Sequence, residues 1–171
     1  MDRHPVRHPH QAPARDFDFL FGHWRVRNRR LRARLAGCET WDAFEASVET
    51  QPLPGGLGNR EHFRSDWDGG YHGLAVRLFD PASGQWRIWW ASDRSPVLET
   101  PVVGGFDGDV GCFYARIAHD GRPVLCRYRW TRVHAQNARW DQAYSVDDGH
   151  SWEPNWEMDF HRVAAPLSSV A

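Results

Sequence analysis

Apolar and polar residues alternate along most of this chain in short runs with a period of two. The stretches 23–34, 41–51, 59–67, 71–79, 85–92, 97–106, 110–119, 122–133, 138–146 and 152–163 are each bounded by Gly, Asp, Asn or Pro, the pattern of strands that bury one face. DPASG, FDGD, HDGR and DDGH stand between successive stretches and favour tight hairpins. No stretch carries the 3.6-residue period of a long amphipathic helix. A single helical turn is expected in DFDFLFGHW, where Phe17, Leu20 and Phe21 form an apolar plug. A meander of about ten strands removes its unpaired edges by closing on itself. The predicted fold is therefore all-β: one antiparallel up-and-down β-barrel with a short N-terminal helical plug.

Three prolines and several charges leave residues 1–15 with nothing to bury, so they are expected to form a disordered tail. The barrel is expected over 16–163 and a flexible tail over 164–171. His4, His8 and His10 in the first tail would meet metal only opportunistically.

Alternation sorts side chains to two faces. Trp24, Val26 and Asn28 share one face, as do Phe44, Ala46 and Val48, then Trp140, Gln142 and Tyr144, and finally Trp156, Met158 and Phe160. These rows are expected inside. In the middle stretches both faces are apolar: Leu74, Val76 and Leu78 oppose Ala75 and Phe79, while Trp86, Ile88 and Trp90 oppose Trp89. Periodicity does not assign their facing. The interior residues expected to touch a ligand are Val26, Asn28, Phe44 and Trp90, with Trp140, Gln142, Tyr144 and Met158; Arg129 joins them as an inward polar group, with Arg77 as the alternative for that role. Buried polar side chains need partners, in the protein or on a ligand.

Composition narrows the chemistry. Ten Trp, nine Phe and four Tyr in 171 residues suit strand faces or an aromatic-lined pocket. A formal net charge of -1 argues against a general polyanion partner. All 21 basic residues are Arg, which excludes Schiff-base lysines, a P-loop and a Ser-Lys dyad. Cys38, Cys112 and Cys126 are an odd number without a Cys-x-x-Cys pair, which points to a reducing compartment. No apolar stretch would serve as a signal peptide or membrane span. A cytoplasmic location is expected, with neither membrane nor nucleic acid as partner, and a homodimer is compatible.

FGHWRV places Gly22-x-Trp24 at the start of the first strand and resembles the G-x-W signature of the lipocalin and wider calycin barrels. That resemblance implies that Trp24 closes one end of the barrel and that Arg162, on the inward register of WEMDFHR, packs across its face. FDFLFGHW, GCETWDAF, PLPGGLGN, RLFDPASGQW, WDQAYSVDDGHSW and NWEMDF follow in that order. Over residues 16–163 they resemble a family of uncharacterised bacterial lipocalin-like proteins, a domain of unknown function. The resemblance implies the fold and carries no substrate or catalytic residues. The opening is also similar to that of nitrobindin, a haem-binding barrel. SVDDGHSW, residues 145–152, spells the S-x-D-x-G-x-x-W Asp-box of sialidases and other β-proteins. A propeller of such hairpins needs several blades of about 40–50 residues, so one copy in a chain of this length reads as a local turn.

Other constellations reduce to structure. RVRNRRLRAR, residues 25–34, concentrates arginines, yet Glu39, Asp42, Glu45 and Glu49 follow on the next strand, and a salt-bridged outer face is expected. GGLGN, residues 55–59, reads as a flexible rim loop. There is no G-x-S-x-G elbow, nothing forces Glu61 and Glu157 together as glycosidase carboxylates, and His161 turns outward beside Phe160. No metal site is expected. The function expected is binding of a small, largely apolar molecule in an aromatic-lined cavity, without a cofactor. The alternatives are an isomerase or cyclase using the same cavity, a haem-binding nitrobindin-like barrel, and a filled barrel whose surface binds a partner.

Overall fold

A computed structural model of the chain describes residues 13–165. The histidines of the leading tail and residues 166–171 lie outside them. Ten strands form a closed antiparallel barrel in which each pairs with its sequence neighbours and the last returns to the first. They are β1 Gly22–Leu31, β2 Trp41–Pro52, β3 Gly58–Ser65, β4 Tyr71–Asp80, β5 Gln85–Ser92, β6 Val102–Asp107, β7 Val110–His119, β8 Arg122–His134, β9 Asn137–Ser145 and β10 Glu153–Val163. Among the described residues no helix is long and apolar enough to cross a membrane.

Two boundaries differ from the expectation. Residues 13–15 do not belong to a structureless tail: Pro13–Arg15 is a 3-10 turn, and the Pro13 carbonyl accepts the indole N–H of Trp86 at 2.9 Å. Residues 97–101, expected in the sixth strand, instead form part of the connection after β5. Pro96 and Pro101 lack the N–H a ladder needs, and β6 pairs with β5 only from Val102 to Gly104.

The N-terminal segment fills one end of the barrel. Phe17 and Leu20, around the 3-10 turn Asp18–Leu20, are fully buried. Phe17 meets Trp86 edge-on at 5.0 Å and Phe106 at 5.1 Å, and stacks on Phe113 at 5.5 Å. Burying such a ring contributes about 1.5–3 kcal/mol. The same end is closed by Trp24, whose indole donates to the Leu20 carbonyl at 2.8 Å. The Arg162 guanidinium lies 4.1 Å from the Trp24 ring centre and donates to the carbonyls of Phe19 at 2.6 Å, Phe21 at 2.7 Å and Ala135 at 3.2 Å. Gly22 sits at φ +109°, where an added Cβ would stand 3.1 Å from Arg162 Nη1.

The middle strands resolve their facing through the barrel's curvature. Ala75, Arg77, Trp86 and Ile88 are buried inside, while Val76 and Trp89 pair across β4 and β5 on the outer face, half-buried. The arginine-rich first strand is salt-bridged outside only in part. Arg27 pairs with Glu45, Arg29 with Glu157 and Arg32 with Asp42. Arg30 falls in the same alternation as Trp24, Val26 and Asn28 and turns inward.

SVDDGHSW folds as a self-contained turn between β9 and β10. Asp147 accepts hydrogen bonds from the Ser151 hydroxyl at 2.6 Å, the Ser151 N–H at 2.8 Å and the Ser145 hydroxyl at 2.7 Å. Gly149 takes φ +92°, and Trp152 packs against it with the Arg127 guanidinium 4.5 Å from its ring. Led by the Ser151 hydroxyl, these donors hold the Asp147 carboxyl far below the usual carboxylate range. A depressed folded-state pKa contributes stability above the unfolded value of about 3.9 and loses it as pH falls from there through the folded value. Asp147→Ala should therefore melt at a lower temperature than the parent at pH 6, with the gap closing as pH drops below about 4. A gap unchanged across a pH series of melting curves would refute the assignment.

Candidate functional site

Because the plug occupies one end, open space remains at the other, where the β1–β2, β3–β4, β5–β6, β7–β8 and β9–β10 connections lie. There β4, β5, β8, β9 and β10 present Tyr71, Trp90, Tyr128, Trp140 and Trp156 around a cavity of about 90 Å³. Trp156 meets Trp140 at 5.8 Å and Trp90 at 6.1 Å, both edge-on, and Tyr128 meets Trp140 at 5.0 Å. The wall depends on a close approach: a Cβ on Gly73 would stand 2.1 Å from Cη2 of Trp90, so only glycine at this position lets the indole lie over β4.

The residues expected to touch a ligand divide. Trp90, Trp140, Gln142, Tyr144 and Met158 line the cavity. Val26 faces inward but lies in the filled part of the barrel, and Phe44 stacks on Trp67 at 4.6 Å. Asn28 supports the wall instead of forming it: its carbonyl oxygen accepts the Trp156 indole N–H at 3.0 Å, and its amide donates to the Val26 carbonyl. Gln142 is also committed in part, donating to Asn155 at 2.7 Å where β10 bulges between Pro154 and Trp156. Arg129 is a correction. Alternation from buried Trp130 puts it on the outer face, where it is exposed and pairs with Asp141 at 2.8 Å. Glu61 and Glu157 do not form a carboxylate pair, because Glu61 faces inward and Glu157 bonds Arg29 and Arg139 outside.

Beyond these the site holds Arg77, the alternative to Arg129 as an inward polar group, and several residues that the sequence did not single out. At the floor, Arg77 donates to Glu61 at 2.6 Å and to Asn59 at 2.9 Å; both side chains of the ion pair are at most 5% exposed. Asn59, expected in a rim loop, is thus a buried partner of that pair. The Arg77 guanidinium also lies 5.3 Å from the Phe17 ring and 5.5 Å from that of Trp130, which ties the floor to the plug. At the rim stand Arg30, Arg34 and Glu99. Arg30 rests between Trp156 at 4.7 Å and Trp67 at 5.1 Å. Burial, followed by the charge of Arg34, lowers its pKa. Arg34 donates to the Tyr144 hydroxyl at 3.2 Å, while its Nη2 is buried with no acceptor among the described residues. Glu99 is open to solvent on one side, yet the surrounding wall raises its pKa by burial, against the pull of both arginines.

Burial raises the phenols of Tyr128 and Tyr144, so both stay protonated near neutral pH and offer O–H donors. Among the described residues no His, Cys, Ser or Thr lines the cavity, and Glu61 is held by Arg77 and the Thr50 hydroxyl. His161 bonds Asn137 on the outer face. Among the described residues, no group of three or more His, Cys, Asp or Glu is placed to hold a metal ion.

No protein-family model matches the chain, and no curated protein matches it significantly. Among solved structures it is similar to Rv2717c from M. tuberculosis, with 18% identity, a TM-score of 0.50, and coverage of 90% of this chain and 99% of that one. At that identity the likeness concerns the fold alone. With the closed barrel it supports a single antiparallel β-barrel fold, and it shows neither membership of the uncharacterised lipocalin-like family nor a relation to nitrobindin.

Proposed function

We propose that this protein binds a small, largely apolar molecule at the open end of its barrel. The observation that carries the reading is the walled aromatic cavity, which remains where the opposite end is packed solid by the plug. A volume of about 90 Å³ lies below the roughly 300–1,000 Å³ typical of pockets for drug-sized ligands. It suits one ring or a short chain with part of the molecule in the rim. The haem alternative has less support, since the cavity is too small to enclose a tetrapyrrole and no described histidine lines it. Binding without chemistry is favoured over an isomerase or cyclase because Glu61, the carboxylate at the floor, is already engaged. On this reading the protein works in the reducing cytoplasm with Cys38, Cys112 and Cys126 unbridged. It needs neither nucleic acid nor membrane, and a homodimer is compatible with it.

Tryptophan fluorescence tests the proposal, because Trp90, Trp140 and Trp156 form the wall. Titration with single-ring and short-chain organic compounds should give at least one saturable change, and native mass spectrometry of protein from its own host should show the bound mass. Gly73→Ala, which drives Trp90 off β4, should weaken that binding by about tenfold or more and cost about 1–3 kcal/mol of stability through overpacking. Product formation proportional to protein concentration would favour the enzyme. The absence of any saturable response, with Gly73→Ala as stable as the parent, would rule out the cavity reading.

A further inference from the structure

Three guanidiniums and two carboxylates line the cavity: Arg30, Arg34 and Arg77 against Glu61 and Glu99. Arg77 and Glu61 satisfy each other at the floor. The rim is left with two arginines and one carboxylate, and neither arginine is within salt-bridge distance of an acid among the described residues. The Arg30 side chain makes no hydrogen bond to any described residue; aromatic rings hold it by its faces. Such stacking leaves the edge of the guanidinium, with its fork of N–H donors, open for a planar bidentate acceptor. Arg34 adds a second fork, fixed through Tyr144 and carrying the unpaired Nη2. Both arginines also line the open groove outside the cavity, together with Trp67 and His119. They therefore stand between the enclosed space and solvent.

We infer that the ligand is a small organic monocarboxylate, its apolar ring or chain among Trp90, Trp140 and Trp156 and its carboxylate held between Arg30 and Arg34. This inference rests on the cavity-binding reading and adds the charge class. Two like charges held close with little water around them favour an anion between them. Glu99 opposes a second negative charge on the ligand, so a monocarboxylate fits better than a dianion.

The test compares benzoate with its neutral isostere benzamide by tryptophan fluorescence and calorimetry at neutral pH. Benzoate should bind about tenfold or more tightly, and its affinity should fall as salt is raised while that of benzamide stays level. Arg30→Gln and Arg34→Gln should each weaken benzoate by a much larger factor than benzamide and so abolish the preference for benzoate. Glu99→Gln should tighten benzoate by about threefold, the modest effect of a rim charge. The comparison in the unaltered protein decides the matter even if a variant folds poorly. Equal affinity for the two probes, insensitive to salt, would overturn the carboxylate clamp and leave the cavity reading standing. Binding of neither probe would overturn the carboxylate clamp, while the cavity reading is decided by the wider panel of compounds and by Gly73→Ala.

Discussion

Replacing Arg77 with Met while Glu61 remains should lower the unfolding free energy by about 3–5 kcal/mol, the cost of leaving a buried charge without its counter-ion. The pair is at most 5% exposed and joined at 2.6 Å. Its guanidinium lies near Phe17 and Trp130 and holds Asn59, so little water reaches either charge. Removing both charges together, as Glu61→Leu with Arg77→Met, should recover much of the loss, because two apolar side chains of similar size avoid the desolvation that the ion pair must offset. A residual cost of about 1–3 kcal/mol is expected, since Asn59 and Thr50 lose their partners. Chemical denaturation of the two single variants and the double variant measures the coupling. A single-variant loss below about 1 kcal/mol would mean that water reaches the floor and that the charges are not truly buried.

The second large effect belongs to the closed end. Trp24→Ala should destabilise by about 3–5 kcal/mol, as for other large buried aromatics cut to alanine. Trp24 is 1% exposed, bonds the carbonyl of Leu20 and carries Arg162 across its face. Arg162→Ala removes that stacking and three hydrogen bonds to the carbonyls that position the plug. In a double-mutant cycle the two substitutions should be strongly non-additive, because each dismantles the contact the other relies on. Strict additivity would separate Trp24 from Arg162 and leave the plug held by its phenylalanines alone. Neither substitution touches the rim, so benzoate binding by the folded fraction should persist.

The two-residue period made the barrel legible. Trp24 to Asn28, Trp140 to Tyr144 and Trp156 to Phe160 face inward in the structure because alternation in a strand is fixed by the backbone pleat. The same rule places Arg30 inside, since it continues the parity of Asn28, but the run of arginines around it reads as a uniform outer face. Arg129 shows the opposite error: adjacent to inward Trp130, it has the opposite parity and points outside, where Asp141 takes it. Arg34 and Glu99 lie in connections, where no period tells a side chain which way to point.

By itself the sequence determined the strand count, the hairpin order, the plug and the local Asp147 turn, because each depends on neighbours a few residues apart. Which end of the barrel is filled, and what surrounds the remaining space, was decided only by closure. Glu61 meets Arg77 through the register of β3 on β4, Asn28 supports Trp156 across the β1–β10 seam, and Gly73 yields its space to a tryptophan on the next strand. These contacts join residues up to 128 positions apart. Their formation depends on the shear and packing of the whole barrel, a property that no local pattern of hydrophobic and polar residues encodes.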